Sequence, residues 1–124
     1  MRKTAKAIST ASALAALLGT LAFSMPSIST AVEASVIEEG KKIAFNRKKG
    51  NCLTCHAIEG GSLPGNIGPP LIAMKDRFPD KSKLRAQIED SRTMNPNTIM
   101  PPFGAHEILS ASEIDKVVEF IHSF

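Results

Sequence analysis

The stretch Asn51-Cys52-Leu53-Thr54-Cys55-His56 constrains this chain more than any other, because Cys-x-x-Cys-His is the attachment signature of a c-type haem. The chain has two cysteines, and both lie inside the motif. Two thiols three positions apart can each add across one vinyl group of a single porphyrin. The histidine that follows is then held beneath the iron, where an imidazole nitrogen becomes an axial ligand. Three other uses of the pair compete with this one. A thioredoxin-like dithiol wants a βαβ context, and none is visible nearby. A structural zinc site needs four ligands, and no second cysteine pair exists to supply them. A disulfide closing so short a loop would stabilise little and leave His56 unexplained. Covalent haem attachment through Cys52 and Cys55, with His56 on the iron, is the expectation.

The N-terminus reads as an export signal. Arg2, Lys3 and Lys6 precede an apolar run from Ala11 to Phe23, and small residues follow. The run is shorter than the ~20 residues of a membrane span and contains Ser12, Gly19 and Thr20. Cleavage is expected near Ala31 or Ala34, which makes residues 1–34 a removable leader. Residues 35–124 are then one periplasmic domain without a stable membrane anchor. About 90 residues make a marginal core for side chains alone. The sequence contains neither Trp nor Tyr, so a porphyrin would supply missing apolar mass. The formal charge of +3 falls to near zero without the leader, and nothing resembles a nucleic-acid-binding surface. Lys41, Lys42, Arg47, Lys48 and Lys49 read as a solvated helix face.

Helical periodicity and capping signals predict an all-α domain. A first helix is expected from Val36 to Lys49, stopped by Gly50, with Gly40 marking close approach by another element. A short helical turn is expected over Ile72 to Arg77, and a helix from Lys81 to about Ser91 capped by Asp80. The last helix opens on the capping box Ser110 to Glu113 and runs to about Ser123. Ile114, Val117, Val118 and Ile121 form its stripe, with Phe120 and Phe124 to the flank. The loops from Glu59 to Leu71 and from Asn95 to Gly104 are too rich in Gly and Pro for regular structure. Loops of that length suit a domain that wraps a cofactor.

The second axial ligand has five candidates: Met74, Met94, Met100, His106 and His122. Met100 is preferred, since its proline-stiffened loop can hold a thioether against the haem, and His106, which follows the same loop, is the competitor. Met74 and Met94 read as core filler. His122 reads as an exposed residue complementing the helix dipole.

In order, these elements resemble the class I cytochromes c, whose N- and C-terminal helices cross and whose Gly-Pro-x-Leu and methionine loops wrap one covalent haem. That resemblance implies contact of Gly40 and Phe45 with the Val117 to Ile121 region, and a hydrogen bond from His56 to the Pro69 carbonyl. The blocks Gly65-Asn66-Ile67-Gly68-Pro69-Pro70-Leu71, Arg77-Phe78-Pro79-Asp80 and Met100-Pro101-Pro102-Phe103-Gly104 are similar to the SoxX family of monohaem subunits in bacterial sulfur oxidation. The resemblance implies an electron-relay subunit rather than a catalytic one, paired with a SoxA-like cytochrome. That complex, an L-cysteine S-thiosulfotransferase, couples thiosulfate oxidatively to a SoxYZ-like carrier and passes electrons to a small soluble cytochrome. A free-standing monohaem shuttle is the alternative.

Overall fold

The computed structural model describes residues 28–124. The Arg2 to Phe23 signal features therefore lie outside the described residues. Among the described residues four α-helices follow in order: α1 (Ile28–Phe45), α2 (Met74–Arg77), α3 (Lys81–Glu89) and α4 (Ala111–His122). Short 3-10 turns lie at Cys52–Thr54 and Ser91–Thr93, and no strand occurs among the described residues. The domain is all-α, as its sequence predicts.

Helix α4 is the centre of the fold. Its cap forms as the sequence predicts: the Ser110 side chain accepts from the Glu113 amide, and the Glu113 carboxylate accepts from the Ser110 amide. Ile114, Val117, Val118, Phe120 and Ile121 are all buried, and α1, α2 and α3 pack against them. Phe120 is thus core rather than flank. Its ring meets Phe45 edge-on at 5.6 Å and Phe124 edge-on at 5.1 Å, so the helix crossing closes on three aromatics in edge-to-face contact. Gly40 sits where the helices come closest, since a Cβ there would overlap the Lys116 carbonyl.

Helix α1 departs from expectation at both ends. It is already formed at Ile28, the first described residue, and runs through Ala31 and Ala34, but residues 29–35 are exposed and packing begins only at Val36. It ends at Phe45 rather than Lys49, because Asn46 competes with the helix. The Asn46 Oδ1 accepts from the Lys48 amide at 2.9 Å, while the Gly50 amide folds back to the Ile43 carbonyl at 3.2 Å. That turn breaks up the basic face: Lys41 lies over the Phe45 ring, and Lys49 pairs with Glu113 on α4. Helix α3 also stops early, at Glu89, where the Asp90 carboxylate caps the Ser91–Thr93 turn.

Candidate haem site

Between the crossed helices and the two proline-rich loops lies a cavity of about 590 Å3, within the ~300–1,000 Å3 usual for small-molecule sites. Cys52, Cys55, His56 and Met100 all line it. Four residues that the sequence spreads over 49 positions therefore face one space. Helix α4 supplies Val117 and Ile121 to its floor, and α3 supplies Leu84 and Ile88.

Local backbone geometry fixes the motif. Asn51 adopts a left-handed conformation (φ 48°) that turns the chain into the Cys52–Thr54 turn. The Cys52 carbonyl then accepts from the His56 amide at 2.9 Å, placing thiols and imidazole on one short coil. The Gly- and Pro-rich loop runs back alongside it. Amides of Gly65, Gly68 and Leu71 donate to the carbonyls of Leu53, Cys55 and Ala57 at 2.8–2.9 Å. At Gly68 the backbone lies so close that a Cβ would overlap the His56 ring. This contact delivers the Pro69 carbonyl to the His56 Nδ1, which donates to it at 2.7 Å. That bond fixes the tautomer, leaving Nε2 unprotonated and available as a donor atom.

Electrostatics of the lining suit an apolar disc with anionic edges. Arg47, Lys48, Lys49 and Arg77 line the cavity, whereas among the described residues no Asp or Glu does. Lys49 is engaged by Glu113, and Arg77 donates to the Pro70 carbonyl at 2.9 Å. Arg47 and Lys48 are exposed at the rim. Two carboxylates brought by a porphyrin would find cations here and no competing acid. The rival uses of the cysteine pair fit less well. The two cysteines are not bonded to each other, and burial pushes the Cys52 thiol up to about 11, the wrong direction for a redox dithiol. Among the described residues, no cluster of three or more His, Cys, Asp or Glu could chelate a free metal ion.

The remaining candidates are sorted by position. Met100 reaches the cavity, whereas His106 is exposed and lines no part of it. Met74 is 1 % exposed and is core, as its sequence context suggests, although it also lines the cavity. Met94 is not core filler: it is 48 % exposed on the turn after Thr93. His122 is not a solvated helix end either, because its Nε2 donates to the Phe78 carbonyl at 3.0 Å and ties α4 to the end of α2. Gln87 and Arg77 line the cavity without having been singled out for it. A lone amide or guanidinium on a short helix carries no sequence signal of its own.

What this cavity can hold, and the helices folded around it, define an electron-transfer haem protein. The chain belongs to the cytochrome c family, whose profile matches residues 37–124, and haem c is its cofactor. Among solved structures it is similar to a chain of the SoxXA crystal structure from P. pantotrophus. The two are 29 % identical with a TM-score of 0.63, over 69 % of this chain and 79 % of that one. Among curated proteins it is similar to an uncharacterized lipoprotein of Aquifex aeolicus (strain VF5), 33 % identical over 76 residues. That match takes in 60 % of this chain but 37 % of the lipoprotein, so this chain corresponds to little more than a third of that relative.

Proposed function

We propose that this chain is the electron-relay subunit of a SoxAX-like complex that oxidatively couples thiosulfate to a cysteine of a SoxYZ-like carrier protein. The observation that carries the proposal is the convergence of Cys52, Cys55, His56 and Met100 on one cavity. In this reading Cys52 and Cys55 would hold a single haem covalently, and His56 and Met100 would supply the protein's ligands to its iron. Bound there, the haem supplies a one-electron couple, with a neutral thioether favouring the ferrous state relative to a second imidazole.

The chain's own residues serve that couple in three ways. The Pro69 carbonyl orients His56 and raises its donor strength. The apolar lining from α3 and α4 keeps water from the cavity floor. Arg47, Lys48 and Arg77, which line the cavity, would meet the propionates. What the sequence lacks supports a relay role: with Cys52 and Cys55 consumed, no thiol remains to take a sulfur atom. With His56 and Met100 both serving as ligands, the iron would offer no open position to a substrate. The catalytic cysteine therefore belongs to a partner, a SoxA-like cytochrome, and electrons leave to a small soluble cytochrome. The likeness to the SoxXA structure supports this choice over a free-standing shuttle.

The site of action is the periplasm, after export and cleavage of residues 1–34 near Ala31 or Ala34. Exposure of residues 29–35 and a family match that begins at residue 37 support that boundary. Among the described residues no helix is long and apolar enough to cross a membrane. Native purification from the producing cell tests the assignment. A second haem protein copurifying at fixed stoichiometry, together with reduction of this haem by thiosulfate and the carrier, is expected. A stable lone monomer indifferent to both refutes it.

A further inference from the structure

The Met100 residue is held at every polar atom it has. Its amide donates to the Thr98 Oγ1 at 3.1 Å. Its carbonyl accepts from the Ser91 hydroxyl at 2.7 Å. Its thioether Sδ lies 3.6 Å from the Gln87 Nε2, within reach of an amide N–H donor. Gln87 belongs to α3, and Ser91 opens the turn immediately after it. The loop is pinned to the same stretch twice more, by the Phe103 amide on the Ile88 carbonyl at 3.2 Å and the Gly104 amide on the Glu89 carbonyl at 3.0 Å.

Two of these contacts are unusual choices. Ser91 is fully buried, and a buried hydroxyl is costly unless bonded. The Met100 carbonyl is the acceptor that satisfies it. Gln87 is half-buried on the cavity wall, where its amide could reach water, yet it points at sulfur, a weak acceptor. Methionine has three rotatable side-chain bonds and is among the side chains most costly to order. A loop that must present a thioether at one point in space gains from having that ordering done before the haem arrives.

We propose that Ser91 and Gln87 are positioning residues for the Met100 thioether. Ser91 fixes the backbone from which the side chain springs. Gln87 donates to one sulfur lone pair and leaves the other for the iron. This rests on Met100 being the second axial ligand, as proposed above. Donation from Gln87 also withdraws electron density from sulfur, and a poorer sulfur donor disfavours ferric iron, so the contact raises the reduction potential.

The test uses the haem-loaded chain as wild type, Gln87→Leu, Ser91→Ala and Met100→Ala. Three quantities are read: the reduction potential, the far-red charge-transfer band of Met-ligated ferric haem, and the affinity of the ferric protein for imidazole, which competes with the thioether. S91A, whose loop no longer holds the thioether in place, is expected to bind imidazole about fivefold more tightly, the worth of one lost hydrogen bond. Q87L is expected to lower the potential, because its sulfur becomes the better donor to ferric iron. Q87L keeps side-chain volume at a half-buried position, so it reads the contact even should S91A fail to load haem. Wild-type potential and imidazole affinity in both variants, with M100A losing the band, overturn the proposal alone. A change confined to S91A overturns the role of Gln87. Persistence of the band in M100A overturns the axial assignment itself, and the positioning role falls with it.

Discussion

Gly40→Ala separates two forces that act on α1 with opposite sign. Helix propensity alone favours alanine by ~1 kcal/mol at an interior position. The crossing with α4 opposes it, because the added Cβ would overlap the Lys116 carbonyl and lie 2.9 Å from the Phe120 Cβ. Backbone cannot yield as a flexible side chain can, so the helices must separate. Separation loosens the Phe45–Phe120 edge contact and the Lys116–Glu39 ion pair at 2.6 Å. Overpacking of this kind costs ~1–3 kcal/mol, with the upper end expected for a backbone clash. Net of propensity, the variant is expected to lose about 2 kcal/mol, which for a domain this small lowers Tm by about 10 °C. Denaturant unfolding of haem-loaded protein, followed by far-ultraviolet circular dichroism, measures it. A variant as stable as wild type, or more so, refutes the close crossing.

Further outcomes are expected elsewhere in the domain. Gly68→Ala pushes the His56 ring off the Pro69 carbonyl, weakening the imidazole as a donor, so the reduction potential should rise. A bond worth ~1.4 kcal/mol corresponds to ~59 mV for one electron, and an unchanged potential sinks the claimed link between Gly68 and the imidazole. The Lys49 ammonium, and then the Ser110 amide, hold the Glu113 carboxyl down to about 2 from an ordinary 4.5. Its depressed value means that stability is fully present above pH 4.5 and is lost as pH falls toward about 2. Glu113→Gln should make that acid slope shallower in denaturation midpoints, and an identical slope contradicts the assignment. Replacing Cys52 and Cys55 together by Ala removes the covalent hold on the haem. The resulting chain should show reduced helicity and broad, poorly dispersed amide resonances, because a core of about 90 residues is marginal without the porphyrin. A cooperative, fully helical apo-protein counts against the cofactor as a structural element.

The parts of this molecule that could be read from sequence are those specified by neighbouring residues. The Ser110–Glu113 capping box and the Asp80 cap each involve residues within three positions, and both form as expected. The Cys-x-x-Cys-His unit is likewise local. The place of Met100 on the cavity was legible because proline on its C-terminal side marks a rigid loop, a property of sequence before structure. Where tertiary context decides, the reading failed. Asn46 ends α1 through a side-chain bond that propensity does not register. Phe120 is core only because α1 and Phe124 both reach it. His122 is engaged by a carbonyl 44 residues away. Gln87 and Ser91 are ordinary polar residues until folding brings the Met100 loop against them.

The central claim is that the Met100 thioether and the His56 imidazole together close the iron to substrate. Proton nuclear magnetic resonance of the ferrous, diamagnetic protein tests it most directly. A methionine methyl held against the porphyrin face lies in the ring-current field and resonates far upfield of every other methyl. One such three-proton line is predicted for wild type and for Met74→Ala, and its loss in Met100→Ala. Its absence from the wild type, or its survival in M100A, would contradict the account.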